Sequence, residues 1–262
     1  MPTPQEAIIE VRNLTFGYGD SVILQDVSFD VRRGEIFVVL GGSGCGKSTL
    51  LKNMIGLHRP QAGRVLYDGQ DMVTAEGAQR RALLRSIGVM YQSGALFGSL
   101  TLTENVRLPL EEFTDLPDAA MDLVAAMKLQ LVGLSDFGQY LPSELSGGMR
   151  KRAAIARAMV LDPQILFLDE PTAGLDPIIS AEMDQLILQL AKSLNMTFVI
   201  VTHELPSIYT VADRVIMLDQ RVKGIVAAGT PIQLRDDSPD PWVRSFFRRE
   251  TIPDATGGQT SP

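Results

Sequence analysis

The chain has 262 residues, 45% of them hydrophobic and 21% charged, a balance ordinary for a globular protein with a substantial core. A net charge of −7 counts against duplex nucleic acid as a partner, because such binders present a basic face. The single cysteine, Cys45, excludes a disulfide framework within the chain, and the longest uncharged stretch, Ser86 to Thr103, is too broken by Gly, Gln, Ser and Thr to be a membrane span.

The start, MPTPQEAIIEV, lacks a basic-then-apolar leader pattern, so no secretory signal is expected. EAIIEVRNLTF and SVILQDVSFDV alternate on either side of the turn GYGDS, which predicts a β-hairpin. EIFVVL (35–40) is the short β-branched run expected of a buried parallel strand. A glycine-rich loop follows, then the helical KSTLLKNMIGL and another strand, GRVLYDG (63–69). From Ala75 to Leu161 the pattern is largely helical, with ENVRLPLEEF and DAAMDLVAAMKLQLVGL at helical spacing. The acids of this stretch, Glu111, Glu112, Asp115, Asp118 and Asp122, read as a solvated helix face. Strands return in QILFLDE, MTFVIVTH and RVIMLDQRV, with the helical ISAEMDQLILQLAKSL among them. DPWVRSFFRRE (240–250) predicts a short amphipathic helix that either packs on its own domain, the favoured reading, or contacts a second subunit, and 251–262 a disordered tail. Strands alternating with helices predict one α/β domain over 1–250 with a mainly parallel sheet and a helical subdomain at about 93–160.

GGSGCGKST (41–49) satisfies G-x-x-x-x-G-K-[ST] and sits between a strand and a helix, the context a phosphate-binding loop requires. Across Gly41, Gly42, Ser43, Gly44, Cys45 and Gly46, small residues let successive backbone N–H groups turn toward phosphates. Lys47 then reaches the β- and γ-phosphates of ATP, Ser48 offers a hydroxyl to Mg²⁺, and Thr49 touches the α-phosphate. Cys45 is read as a small tolerated residue rather than a redox group. ILFLDE (165–170) puts two acids at a strand end: Asp169 for the Mg²⁺ shell and Glu170 to polarise a water. ELSGGMRKRAAIARAM (144–159) opens a second helix with Ser146, Gly147 and Gly148, another set of free N–H groups suited to an anion.

LSGGM (145–149), ahead of the acidic strand end, resembles the signature motif of ABC ATPases, the nucleotide-binding subunits of ATP-binding cassette systems. Tyr18 in FGYGD resembles the aromatic that stacks on adenine, and Gln92 in MYQSG the Q-loop glutamine that contacts Mg²⁺ or the attacking water. AGLD (173–176), ending at Asp176, resembles the D-loop, and His203 in VTHE the switch histidine at the γ-phosphate. The other histidine, His58, has no motif around it and is read as a surface residue. The chain departs from the family pattern in three places: Gly42 stands where Pro is common, Met149 where Gln is commoner, and Ala173-Gly174 where Ser-Ala is frequent. The resemblance implies a P-loop cassette with an antiparallel β subdomain and a helical signature subdomain. It also implies a homodimer in which Ser146, Gly147 and Gly148 cap the ATP held by a second copy.

QSGALF, LTENVRLPL and a late VRSFF are similar to the ATPases of MCE-associated lipid transporters of the Mla and toluene-tolerance type. That resemblance implies a peripheral subunit at the cytoplasmic face of a bacterial inner membrane, held by an integral permease and working with an MCE-domain subunit. Ala95, Leu96 and Phe97 are then either an apolar knob for the permease or internal packing. An ATPase serving a polar solute such as an amino acid has the same catalytic sequence and stays open, as does a non-transport ABC protein, although this acidic single cassette lacks the usual second cassette or coiled-coil insertion. A stand-alone P-loop kinase is disfavoured by LSGGM.

Overall fold

The computed structural model describes residues 6–19 and 21–250. Its first layer is an antiparallel sheet of β1 (Ala7–Tyr18), β2 (Ser21–Arg32), β4 (Ala62–Tyr67) and β5 (Gln70–Asp71), in the order β2-β1-β4-β5. β1 and β2 form the expected hairpin, with Phe16 opposite Leu24.

The second sheet has six strands. β3 (Ile36–Gly41), β6 (Ile87–Met90), β7 (Ile165–Asp169), β8 (Thr197–Val201), β9 (Arg214–Asp219) and β10 (Gly224–Gly229) lie in the order β10-β9-β3-β8-β7-β6. All neighbours are parallel except β10, which runs antiparallel to β9. The expected mainly parallel α/β fold with an antiparallel β layer is thus the observed one. Because side chains alternate along a strand, each central strand feeds two cores. Val38, Leu168 and Ile200 join one, under the helices; Phe37, Phe167 and Val199 join the other, against the antiparallel sheet.

Between these strands lie α1 (Lys47–Met54), α2 (Gly77–Arg85), α3 (Leu102–Phe113), α4 (Asp118–Leu131), α5 (Gly147–Ala158), α6 (Pro177–Leu194) and α7 (Leu205–Val211). Two more, α8 (Pro231–Asp236) and α9 (Pro241–Arg248), close the described chain. α3 starts at a capping box, Thr101 accepting from the Glu104 amide at 3.2 Å while Glu104 accepts from the Thr101 amide at 2.7 Å. α3, α4 and α5 pack on one another beside the main sheet.

Three strands, β5, β6 and β10, have no counterpart in the sequence expectation, and β9 is shorter than expected. β6 lies inside the stretch read as helical, because its short apolar run carries no period of its own. A β-carbon on its Gly88 would sit 2.0 Å from the Ala158 carbonyl oxygen, so only glycine lets this strand pass the end of α5. β10 went unread because GIVAAG gives only weak strand signals, and β9 ends at Asp219, short of the expected Val222. The acids read as a free solvated face are partly gathered: Asp118 and Asp122 accept from Arg107 at 2.6 and 2.7 Å, and Glu111 lies 3.3 Å from it. α9 packs on its own chain, with Val243 and Phe247 buried and the Arg221 guanidinium 4.6 Å above the Trp242 ring. The tail 251–262, expected to be disordered, lies outside the described residues.

Candidate functional site

The loop 41–49 leaves β3 and turns into α1. Gly46, which precedes the helix, has φ +98°, and a β-carbon there would lie 2.6 Å from Ile23 Cγ2. A larger residue would meet both backbone strain and a clash. Gly42, Ser43 and Gly44 are exposed on the rim, whereas Gly41 is buried beneath it. Lys47 Nζ donates to the carbonyls of Gly41 at 2.9 Å and Gly42 at 3.0 Å, so its charge is held over the loop. Cys45 points into the core, 2% exposed, and burial pushes its thiol up, so this residue offers the loop only its backbone. Tyr18, Ile23, Gly44, Gly46, Lys47, Ser48 and Thr49 line a cleft of about 270 Å³, with Tyr18 58% exposed at its mouth. His58, read as a surface residue, is half-buried and stands edge-on to Tyr18 with ring centroids 6.3 Å apart.

Asp169 ends β7 and faces the loop, its Oδ1 3.4 Å from Ser48 Oγ. Burial, and next the neighbouring charge of Glu170, hold the Asp169 carboxyl above the usual range; the Ser48 hydroxyl and the charges of Lys52 and Lys47 act the other way. Glu170 takes φ +51°, a left-handed backbone that costs a non-glycine residue roughly 1–2 kcal/mol. Its amide donates to the Val201 carbonyl at 2.8 Å, which holds the strained residue between β7 and β8. Glu170 Oε1 lies 2.7 Å from His203 Nδ1, and its Oε2 is buried without a hydrogen-bond partner among the described residues. A carboxylate so placed has one oxygen oriented by an imidazole and one left to accept a proton from water.

Ser146 caps α5, accepting from the Met149 amide at 3.2 Å, so its hydroxyl serves its own helix while exposed to solvent. Gly148 packs against the start of α6; a β-carbon there would come 2.6 Å from Ile179 Cγ2. Gly147 is half-buried, and a β-carbon on it would stand 3.5 Å from Leu175 of the same chain. Asp176 caps α6 by accepting from the Ile178 and Ile179 amides at 3.0 and 3.1 Å. Gln92 is exposed in the turn after β6. Beyond it Ala95 and Phe97 are exposed, whereas Leu96 packs against the main core, so the apolar stretch divides between the two readings.

The structure thus gathers Lys47, Ser48, Asp169, Glu170 and His203 at the C-terminal edge of the parallel strands, and leaves Ser146, Gly147 and Gly148 on a separate helix start. A family model described as ABC transporter matches residues 24–173. The chain belongs to the ABC transporter family. The intermembrane phospholipid transport system ATP-binding protein MlaF of Haemophilus influenzae is 40% identical over 93% of this chain and 91% of its own length. MlaF of Escherichia coli K12 is 38% identical over 92% and 88% respectively. The probable ribonucleotide transport ATP-binding protein mkl of Mycobacterium leprae is 43% identical over 95% of this chain and 71% of its own length. Among solved structures, the post-hydrolysis dimer of the cassette MJ0796 bound to ADP and Pi has a TM-score of 0.76 at 29% identity, covering 85% of this chain and 98% of that one. The chain is therefore an ATP-binding ABC ATPase, of a family whose ATPase subunits work with membrane permease components.

Two residues of this ABC ATPase escaped the sequence reading. Lys151, buried on α5, donates to the carbonyls of Glu170 at 2.8 Å and Ala173 at 2.7 Å, tying the signature helix to both acid and D-loop. Arg157, one turn and a half further along, donates to Gly94 O at 2.9 Å and Ala95 O at 2.8 Å, tying the same helix to the loop after Gln92. Both stand in MRKRAAIARAM, and their partners are distant in sequence, so no local pattern signals them.

Proposed function

We propose that this chain is the ATP-hydrolysing subunit of a transporter that moves phospholipid between the membranes of a bacterial envelope. What supports the substrate is the nearly end-to-end match to MlaF, a protein named for intermembrane phospholipid transport. What carries the chemistry is one observation: Glu170, buried and strained, with one oxygen on His203 and the other unpaired.

In this reading Tyr18 stacks on adenine and the loop from Gly41 to Thr49 wraps the phosphates. Lys47 leaves its two carbonyls for the β- and γ-phosphates, His203 donates to the γ-phosphate, and Glu170 takes a proton from the attacking water. Ser48 and Asp169, with Gln92, fit Mg²⁺: they are hard oxygen donors, the first two 3.4 Å apart, and a cation would repay the cost of burying the Asp169 charge. No cluster of three or more His, Cys, Asp or Glu ligands stands among the described residues, which suits an ion held chiefly by phosphate and water. When bound, Mg²⁺ neutralises charge on the phosphates. A second copy of the chain supplies Ser146, Gly147 and Gly148 to cap the nucleotide, with Asp176 near that interface.

No described helix is long and apolar enough to cross a membrane. In the proposed complex the chain sits at the cytoplasmic face of the inner membrane, held by an integral permease and joined by an MCE-domain subunit. Purifying the chain with its permease and identifying bound lipid by mass spectrometry tests the substrate. Phospholipid is expected; a bound ribonucleotide, as the name of mkl suggests for that protein, or an amino acid overturns it. Glu170→Gln tests the site: it should bind ATP yet turn over at least about a hundredfold more slowly.

A further inference from the structure

A buried polar cluster lies where three elements meet, just behind the Glu170–His203 pair. Thr172, in the turn after β7, and Ser207, on α7, are both buried, with their hydroxyls 3.3 Å apart. Asp184, on α6, is 4% exposed, and its Oδ1 has no hydrogen-bond partner among the described residues. With Thr172, Ser180, Glu204, Ser207 and Thr210 it lines a cavity of about 230 Å³, among whose lining residues there is no Lys, Arg or His. Met183, Leu186 and Ile187 of α6 and Leu205 and Ile208 of α7, which neighbour Asp184 and Ser207 along their helices, belong to the apolar core. A carboxylate oxygen without a partner is costly in such surroundings. Burial holds the Asp184 carboxyl above the usual range, and the Ser207 hydroxyl opposes that shift.

The placement gives the cluster a task. Thr172 follows Glu170 by two positions, and His203 precedes the first residue of α7 by two. The Thr172–Ser207 hydroxyl pair and the Glu170–His203 contact are therefore two rungs between the same two segments. Asp184 faces the lower rung from a third element, the helix that the D-loop residue Asp176 caps.

We propose that Asp184 is a positioning residue for ATP hydrolysis, bracing Ser207 so that α7 holds His203 at its contact distance from Glu170. This rests on the site reading above. Its test is steady-state ATPase of the full-length chain, with kcat and KM separated. Asp184→Ala should lower kcat roughly tenfold while KM for ATP stays within about twofold, because nucleotide binding does not pass through this cluster. Asp184→Asn keeps the shape and a donor, and should return kcat to within about twofold of the parent. In a His203→Ala background Asp184→Ala should cost nothing further, as expected of residues acting through one contact. An equal loss in both backgrounds, a rise in KM alone, or an Asn variant no better than Ala would overturn the proposal. If Asp184→Ala does not fold, Ser207→Ala enters the same cycle with the same expectation. Unchanged turnover in His203→Ala alone would overturn the site reading, and this inference with it.

Discussion

Lys151→Met is the sharpest probe of how α5 is joined to Glu170. The ammonium makes two charge-assisted bonds to buried carbonyls, at 2.8 Å to Glu170 and 2.7 Å to Ala173. Bonds of that kind contribute about 1.5–3 kcal/mol each. Against this stands the cost of burying the charge, seen in the way burial holds the Lys151 ammonium below the usual lysine range. Methionine preserves most of the packed stem, so the change removes chiefly the two bonds and leaves two carbonyls unpaired. A net loss of roughly 2–4 kcal/mol follows. Urea unfolding reads it as a lower midpoint with an unchanged slope. Because the freed carbonyls flank Glu170 and open the D-loop, turnover should also fall, by about tenfold, under conditions where the variant is fully folded. A stability loss below about 0.5 kcal/mol would refute the account of the two bonds. Normal kcat in a destabilised variant would show that Lys151 supports the fold and not the acid.

Arg157→Ala removes the donors to Gly94 O and Ala95 O, so the amides of the loop after Gln92 should exchange hydrogen faster by at least about tenfold, while those of β7 stay unchanged; equal protection in both proteins would contradict the tether. For Asp184 the sign of the pH effect is fixed by burial, which raises its folded pKa above the ordinary value near 3.9. The proton it takes up on folding stabilises the chain below that ordinary value, and the benefit is lost as pH rises through the raised value. Asparagine is neutral throughout. The thermal midpoint of Asp184→Asn relative to the parent should therefore climb as pH rises across that window, and a trend of opposite sign would show that the carboxylate is stabilised in the fold.

The binding loop was legible because its chemistry is contiguous. A phosphate cradle is made of consecutive N–H groups, so GGSGCGKST and the helix start at Ser146 show that pattern in adjacent letters. The strand before the loop and the strand ending in Asp169 were legible for a related reason: buried parallel strands are short apolar runs, and their ends hold the acids. β6 failed the same test because four apolar residues between helical stretches have no period, and its place was decided by β7 alongside it and by the gap that Gly88 leaves for Ala158.

The amino-acid sequence by itself determined the family, the glycine-rich loop between β3 and α1 and the acids at the strand ends, since each of these is built from neighbours in the chain. Only the tertiary structure decided what orients them. Lys151 meets Glu170, Arg157 meets Gly94, His58 meets Tyr18, Arg107 gathers Asp118 and Asp122, and Asp184 faces Ser207. Each of these contacts joins separate elements, and a side chain's partner across such a gap is set by how helices and strands pack, which no local pattern of residues encodes.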